Sequence, residues 1–398
     1  MRRIYFFVCI IVLCCINSAQ AHLPCPVNAR GVLQCDAEVK SSYKKSVSLH
    51  FDVNSREESY AARMLTKSLQ ERGYVINANS GDYSIKFFID KRGYDAEAFA
   101  IIPEGNVIKI IGGDYRGLIY GALSLSEDLR NEILLDNAVA RSEKPKLMLR
   151  AVKYDLPWDT YRHSEALNLH DETCRDPKYW EAFLDMMAEN RLNALSLWNL
   201  HPYPFMIIPK NYPEASPFTK EEFKEWQKLF QSIIGMAAER AIETYLIPFN
   251  IFVTPEFSVA HNVAMDNLDH HFYVRGETAQ IVKDYTRECV TQVLEEYPDL
   301  TGFGLTLGEG MAGMTPQERE AWMTETIIEG MRRANRPSKL VHRVPFSSTT
   351  ESLGNTSVET ERITRASIER EADMGFTEGP IFADFKFNWS HSLSTPKL

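Results

Sequence analysis

The chain has 398 residues, 44% of them hydrophobic and 25% charged, so it can bury a sizeable core and is expected to form two or three domains. Its formal net charge is −10, and no run of Lys and Arg follows the first few residues. This balance argues against nucleic acid as a partner, and acidity alone indicates nothing further.

The first 21 residues, 1–21, have the pattern of a signal peptide. Arg2 and Arg3 precede an apolar run at 4–16, and Ala19 and Ala21 supply small residues at a cleavage site. The run is too short to span a bilayer, although a retained anchor is the alternative. We expect a secreted protein, periplasmic or extracellular, with no membrane contact after cleavage.

Four cysteines follow this signal peptide. Cys25 and Cys35 are close enough in sequence to form a small disulfide loop in an oxidising compartment, worth about 2–3 kcal/mol. Cys174 and Cys289 lie far apart and are expected to be separate buried thiols. The cysteine spacing matches no zinc motif.

Residues 22–145 predict a small α+β domain. Segments with alternating or continuous apolar residues predict strands, and a hairpin turn is predicted at 104–106. Apolar residues at helical spacing predict a first helix that ends at Gly73. The predicted elements are a strand at 46–53, a helix at 57–72, strands at 83–90, 98–103 and 107–112, and a helix at 115–132. The order indicates one sheet with two helices on one face.

Residues 146–398 change to a repeated strand–loop–helix rhythm. Predicted strands begin near 147, 193, 243, 301, 339 and 380, with helices at 177–190, 219–240, 277–296, 316–335 and 358–373. This α/β pattern favours a (β/α)8-type TIM barrel over an open sheet. Because only six strands are found, we expect an incomplete barrel, truncated after the sixth strand, whose exposed edges would favour a homodimer.

The stretch L-T-G-F-G-L-T-L-G-E-G-M-A-G, 300–313, predicts a buried strand that ends on Glu309 between two glycines. Thr315 and Pro316 then suit the start of a helix. In a barrel, Glu309 would lie on the face where barrel enzymes place their chemistry. A solvated surface glutamate beside flexible glycines is the alternative.

Polar and aromatic residues, Asp155 among them, also follow the other predicted strands. Strand ends usually serve the site in a barrel. The candidates for substrate binding are Trp158, Asp159, Arg162, Trp198, Asn199, His201, Asn250, Glu256, His342, Arg343, Lys386, Asn388 and His391. On the last strand, Asp384, Lys386 and Asn388 alternate onto one face, which is expected to line the lumen. A paired network among these three residues is the alternative.

These residue types suit a sugar. Sugar rings stack their C–H faces on aromatic planes, hydroxyls need polar partners, and arginine offers a fork for a carboxylated sugar. His261, Asp266, Asp269, His270 and His271 form a second polar group. Its spacing matches no tight ligand motif, so we favour a polar substrate-side loop and assign no metal, with a metal site as the alternative.

Three segments resemble a known arrangement, that of the family 67 α-glucuronidases and of the hexosaminidase-like enzymes with the same two-domain plan. G-G-D-Y-R-G-L-I-Y-G-A-L-S-L at 112–125 is similar to the end of the small domain that precedes the barrel. G-E-G-M-A-G at 308–313 is similar to the segment with the catalytic acid, which implies that role for Glu309. H-R-V-P-F at 342–346 resembles the next barrel strand, which implies a substrate contact for Arg343.

The resemblance has two departures. Y-D-L-P-W-D-T-Y-R and W-N-L-H-P-Y-P-F replace the glucuronidase motifs of the first two strands, which implies that the sugar differs. The family's general bases lie on late strands, near and beyond the end of this sequence. Asp384 is the carboxylate of this chain that comes nearest to them.

We therefore expect an α-glucuronidase-like glycoside hydrolase active in polysaccharide degradation on oligosaccharides, including those that bear uronic acid. Glu309 would be the general acid and Asp384 the candidate base, with no cofactor. The alternatives are a non-catalytic carbohydrate-binding protein, an inactive fragment of a longer glycosidase, or a lyase or isomerase acting on uronates.

Overall fold

The computed structural model describes residues 45–77, 80–157, 165–266, 274–276, 278–307, 311, 313–343 and 358–384. These residues divide into two compact units. One contains 45–148 together with 239–241, and the other contains 149–238 together with 242–384.

The smaller unit contains a six-stranded mixed sheet and two helices. Its elements are β1 (Ser46–His50), α1 (Arg56–Glu71), β2 (Val75–Ile76), β3 (Tyr83–Ile89), β4 (Phe99–Glu104), β5 (Val107–Gly112), α2 (Tyr115–Arg130) and β6 (Arg141–Glu143). The strand order is β2-β1-β3-β5-β4-β6, and only β4 pairs antiparallel with its neighbours. The predicted elements are confirmed, while β2 and β6 are too short to give a periodic signal.

Local chemistry fixes the helix ends in this unit. The side chain of Ser55 accepts a hydrogen bond from the Glu58 amide at the start of α1, and Asp114 accepts one from the Gly117 amide at the start of α2. Gly73 follows α1 and adopts the left-handed conformation, with φ of 84°. This confirms the helix end that the glycine at this position predicted. The α1 and α2 helices pack against each other, and α2 also packs on β4 and β5.

The larger unit repeats strand and helix. Its elements are β7 (Ala151–Asp155), α3 (Glu165–Cys174), α4 (Pro177–Glu189), β8 (Ala194–Asn199), α5 (Lys220–Glu239), β9 (Glu243–Pro248), β10 (Phe252–Val253), α6 (Pro255–His261), β11 (Ala264–Asp266), β12 (Val274–Gly276), α7 (Gln280–Glu296), β13 (Gly302–Leu305), α8 (Pro316–Met323), a π-helical turn (Thr324–Ile328), α9 (Glu329–Arg333), β14 (Lys339–Arg343), α10 (Val358–Met374) and β15 (Phe382–Asp384).

The main sheet of this unit confirms the predicted fold class. Its strands lie in the order β7-β8-β9-β13-β14-β15, which is the order of the sequence, and every neighbouring pair is parallel. This is the curled parallel sheet of a partial (β/α) barrel, accompanied by the separate mixed sheet of the smaller unit. Among the described residues this sheet has six strands.

Two features of this unit were not predicted. The predicted third strand, 243–253, stops at Pro248, and Phe252–Val253 instead pairs antiparallel with β12, which also pairs with β11. The short α3 and α6 helices were also missed. The predicted helix start at Thr315 is confirmed, because Thr315 and Glu318 form a reciprocal capping box.

Cys174 and Cys289 are both buried free thiols, as expected. Within the described part of the chain, we find no helix with the length and apolarity needed to cross a membrane.

Candidate functional site

The candidate site lies on the inner face of the curled sheet, toward the carboxyl ends of its strands. Asp155 pairs in register with Trp198, and Arg343 pairs with Asp384. Side chains alternate between the two faces of a strand, so Lys153 lies on the same face as Asp155. The outer face carries the other set: Tyr154, for example, packs against Trp180 of α4 at 4.6 Å between ring centroids.

Trp198 is the centre of this inner face. Only 4% of its surface is exposed, its Nε1 donates to Ser196 Oγ at 2.9 Å, and its ring packs against Phe249. Two cations approach the indole: Lys153 Nζ lies 4.4 Å and Arg343 Cζ 5.2 Å from the ring centroid. Both distances are within cation–π range, so positive charge converges on one aromatic plane.

The Arg343–Trp198 contact also shows how strongly the sheet curls. β8 and β14 are separated by β9 and β13. Three steps of a flat sheet would separate two such strands by about 14 Å. The two side chains nevertheless meet at 5.2 Å on the inner face. Curvature of the sheet therefore brings the ends of distant strands to one site, as in a barrel.

Two carboxylates flank these cations. Asp155 is buried, and its Oδ1 lies 3.4 Å from Lys153 Nζ. Burial raises the pKa of Asp155 above its ordinary value, and the Lys153 charge only partly opposes this effect. Asp384 is half-buried on β15 beside Arg343, which is itself buried. Each cation over Trp198 therefore has a carboxylate beside it, Asp155 next to Lys153 and Asp384 next to Arg343.

His342 was expected to join Arg343 at the substrate, but the structure places it on the opposite face of β14. Its side chain is fully buried against the helices, with Nε2 3.0 Å from Glu320 of α8 and 3.7 Å from Glu371 of α10. Burial lowers the pKa of His342, but the two carboxylates outweigh burial and raise the pKa to about 9. Successive residues of a strand face opposite sides, so His342 and Arg343 cannot both face the lumen.

Asn199 and His201 shape the end of β8 and are buried. Asn199 Nδ2 donates to the Leu156 carbonyl at 2.8 Å, and its Oδ1 accepts from the His201 amide at 2.8 Å. His201 Nε2 lies 2.9 Å from the Tyr285 hydroxyl of α7, and burial lowers the pKa of His201 to about 3. These bonds hold the strand end in place and do not bring either side chain to the Trp198 ring.

Asn250 is likewise buried among protein groups. Its Oδ1 accepts from Trp322 Nε1 at 3.3 Å, and its Nδ2 donates to the Thr306 carbonyl at 3.4 Å. Glu256 lies exposed in the first turn of α6. His261, near the end of the same helix, bonds through Nε2 to Glu214 at 2.7 Å.

Other predicted features lie outside the described residues. They are the signal peptide at 1–21, the Cys25–Cys35 loop, Trp158, Asp159, Arg162, Asp269, His270, His271, Glu309, Lys386, Asn388 and His391. Of the predicted site residues, the structure therefore brings together Trp198, Arg343 and Asp384.

Lys153 was not predicted as a site residue, and Asp155 was noted only among the polar residues that follow the first strand. Both lie on β7, two positions apart, next to Ser196 and Trp198 of β8 in register. The sequence contains a signal that could have identified them. Once Trp198 is placed on the inner face, strand alternation places every second residue of the preceding strand, including Lys153 and Asp155, on that face.

Comparison with solved structures identifies the fold. A glycoside hydrolase family 138 (GH138) enzyme targeting pectin rhamnogalacturonan II matches with a TM-score of 0.66 and 26% identity over 75% of this chain and 44% of that chain. This chain therefore spans less than half the length of that enzyme. No family model matches, and no curated protein matches.

Family 20 (GH20) enzymes match over more of their length. The β-N-acetylhexosaminidase of Streptomyces coelicolor has a TM-score of 0.55 and 12% identity, over 86% of this chain and 72% of that chain. The β-N-acetylhexosaminidase of Bacteroides fragilis has a TM-score of 0.52 and 12% identity, over 84% and 70%. At this identity the likeness shows the fold alone. The structural neighbours are thus glycoside hydrolases, and the chain has a glycoside hydrolase fold.

Proposed function

We propose that this protein is a glycoside hydrolase that acts on an oligosaccharide bearing a uronic acid. The observation that carries the proposal is the placement of Lys153 and Arg343 around Trp198, between Asp155 and Asp384. This group lies at the strand ends of a partial barrel, where barrel enzymes place their active sites. The glycoside hydrolase fold of the neighbours supports the same reaction class.

The two cations favour an acidic sugar over a neutral one. An indole face stacks on the C–H face of a pyranose, and Trp198 lies between the basic residues. Arginine pairs with a carboxylate through two parallel hydrogen bonds, which fixes orientation as well as charge. We therefore assign the uronate carboxylate to Arg343, whose guanidinium lies over the Trp198 ring. The GH138 neighbour, whose target is a pectin, points to pectic oligosaccharides as the first substrates to test.

The proposed chemistry uses two carboxyl groups. Glu309 would protonate the leaving oxygen, and Asp384 would activate water from the opposite side of the ring. An inverting reaction places two such groups about 6.5–9.5 Å apart. Asp155 is a second candidate for the acid, because burial raises its pKa and a general acid must hold its proton near neutral pH.

The test combines substrates with matched variants. Pectic oligosaccharides are incubated with the protein, and the products are analysed by mass spectrometry. For each bond cleaved, we expect the masses of the two products to sum to the mass of the substrate plus one water. If Glu309 is the acid, Glu309→Gln should lose turnover of substrates with poor leaving groups while calorimetry shows unchanged sugar binding. Asp155→Asn separates the two acid candidates, since only the variant that removes the true acid loses turnover on poor leaving groups.

A binding control addresses the acidic sugar. Arg343→Gln should weaken binding of a uronate oligosaccharide about tenfold or more, and binding of its carboxyl-reduced form much less. Arg365→Gln, an exposed arginine on α10, should change neither. Sugar binding without turnover in the parent protein would instead identify a carbohydrate-binding protein. Products without added water would indicate a lyase or isomerase.

Export fits this substrate. We propose that 1–21 directs secretion, because these residues have the basic start, apolar run and small residues of a signal peptide. Mass spectrometry of the mature amino terminus tests this proposal, with residue 22 as the expected start.

A further inference from the structure

A buried cluster lies on the outer face of β14, away from Trp198. It consists of His342 on the strand, Glu320 on α8 and Glu371 on α10, which are 0%, 3% and 0% exposed. Nε2 of His342 lies 3.0 Å from Glu320 Oε2 and 3.7 Å from Glu371 Oε1. One ligand atom from each residue fits within 4.8 Å of the other two.

The hydrogen bonding of the two carboxylates differs. Glu320 Oε1 accepts from the Thr364 hydroxyl at 2.7 Å, and Glu320 Oε2 lies against His342. Neither oxygen of Glu371 has a hydrogen-bond partner among the described residues, although both are buried. A buried carboxylate without hydrogen bonds is costly unless it holds a proton or a positive charge lies directly against it.

Charge counting shows how the cluster can become neutral. Two carboxylates and one imidazolium sum to −1, which a proton on Glu371 or an added cation would neutralise. Two carboxylates, a neutral imidazole and a dication sum to zero. We propose that Glu320, His342 and Glu371 bind one divalent transition metal ion, through Glu320 Oε2, His342 Nε2 and Glu371 Oε1.

The spacing fits such an ion. Zinc binds histidine nitrogen and carboxylate oxygen at about 2.0–2.2 Å in a tetrahedron, which places neighbouring ligand atoms about 3.3 Å apart. The two measured separations, 3.0 and 3.7 Å, lie on either side of this value. Three protein ligands leave one position for water. The Thr364 hydroxyl orients the Glu320 carboxylate, as outer partners of metal ligands do.

An entry route is present on the surface. A cavity of about 420 Å³ lies between α8 and α10 and is lined by Gln317, Glu320, Thr324, Arg362, Ser367 and Arg370. The cavity reaches Glu320, so an ion can approach the cluster from the helix side. The bound ion would tie α8 and α10 to β14. This inference concerns the outer face of the sheet and does not depend on the proposed hydrolase activity.

The experiment uses the full chain, stripped with chelator and dialysed. Calorimetric titration with zinc chloride should give one tight site per chain, and zinc should raise the thermal midpoint by an amount that grows with the logarithm of the zinc concentration divided by Kd. Glu371→Gln keeps the side-chain shape and should weaken zinc binding by about 100-fold or more, since loss of an outer partner alone costs roughly 10–100-fold. Glu369→Gln, an exposed glutamate on the same helix, is the matched control and should bind as the parent does.

X-ray absorption at the zinc edge provides a second measurement that needs no variant. The proposal expects nitrogen and oxygen neighbours with no sulfur, which excludes Cys174 and Cys289 as ligands. It is overturned by the absence of a stoichiometric site, by sulfur in the coordination shell, or by a folded Glu371→Gln protein that binds zinc as tightly as the parent. If Glu371→Gln does not fold, the stoichiometry and absorption spectrum of the parent decide alone.

Discussion

His201 makes the larger unit sensitive to acid. Its imidazole is 2% exposed and stacks on Tyr285, whose hydroxyl lies 2.9 Å from Nε2. Burial lowers the pKa of His201 from 6.5 to about 3, so the folded protein keeps this side chain neutral. Between pH 6.5 and pH 3, His201 is protonated in the unfolded chain but remains neutral in the folded chain. Stability from this residue is therefore complete above pH 6.5 and is lost as the pH falls toward 3.

The magnitude follows from the two pKa values. Each pH unit below the unfolded value costs about 1.4 kcal/mol until the folded value is reached. At pH 5, which is 1.5 units below 6.5, His201 alone should lower the free energy of unfolding by about 2 kcal/mol. His201→Gln replaces the imidazole with an amide that does not titrate, so the variant should lack this part of the loss.

Urea unfolding at pH 7.5 and pH 5.0 measures the effect. Tryptophan fluorescence reports on the larger unit, because all six tryptophans come after residue 148. The parent should lose about 2 kcal/mol more than His201→Gln between the two pH values. Tyr285→Phe removes the hydrogen bond but keeps the buried imidazole, so it should retain the full acid loss. Equal losses in the parent and His201→Gln would refute the assignment.

Three further outcomes test the packing and the helix ends. Gly302→Ala should destabilise the larger unit by about 3 kcal/mol or more, because a Cβ would lie 1.8 Å from a backbone oxygen of β14. Gly235→Ala in α5 has open space around the new Cβ and should stabilise the unit by about 0.5–1 kcal/mol. Urea unfolding measures both changes. Thr315→Ala should cost about 1 kcal/mol by the same assay, since it removes the capping box of α8. Cys174 and Cys289 should react with a thiol reagent only in denaturant, because both are fully buried and burial raises the pKa of Cys289; prompt labelling of the native protein would contradict this expectation.

The sequence was sufficient for the larger elements because their signals are local. Periodicity and caps predicted α1, α2 and the β4–β5 hairpin to within a few residues, and the parallel order of the main sheet followed from the alternation of strands and helices. Two-residue strands such as β2 and β10 depend on a partner far away in sequence. No periodic signal of that length exists, so they were missed.

The site was harder to predict because its strands are buried on both faces. In β8 and β13 every residue is buried, so hydrophobicity does not separate the inner face from the outer one. Proximity to a strand end therefore selected Trp198 together with Asn199, and His342 together with Arg343. Successive side chains of a strand point to opposite faces, so only one residue of each pair can face the inner side. Counting in twos from Trp198 would have added Lys153 of β7 and assigned Asp155 to the site with it.

That alternation also explains how one strand contributes to the two proposed sites. β14 directs Arg343 inward, where its guanidinium meets Trp198, and directs His342 outward, where its imidazole meets two glutamates. The two residues share a backbone, so any force that fixes His342 between α8 and α10 also limits where Arg343 can reach. The proposed metal would thus set the position of the arginine that the acidic-sugar proposal requires, without touching the sugar itself. Chelation should then weaken uronate binding in the parent and leave it unchanged in Arg343→Gln, which distinguishes this coupling from general unfolding.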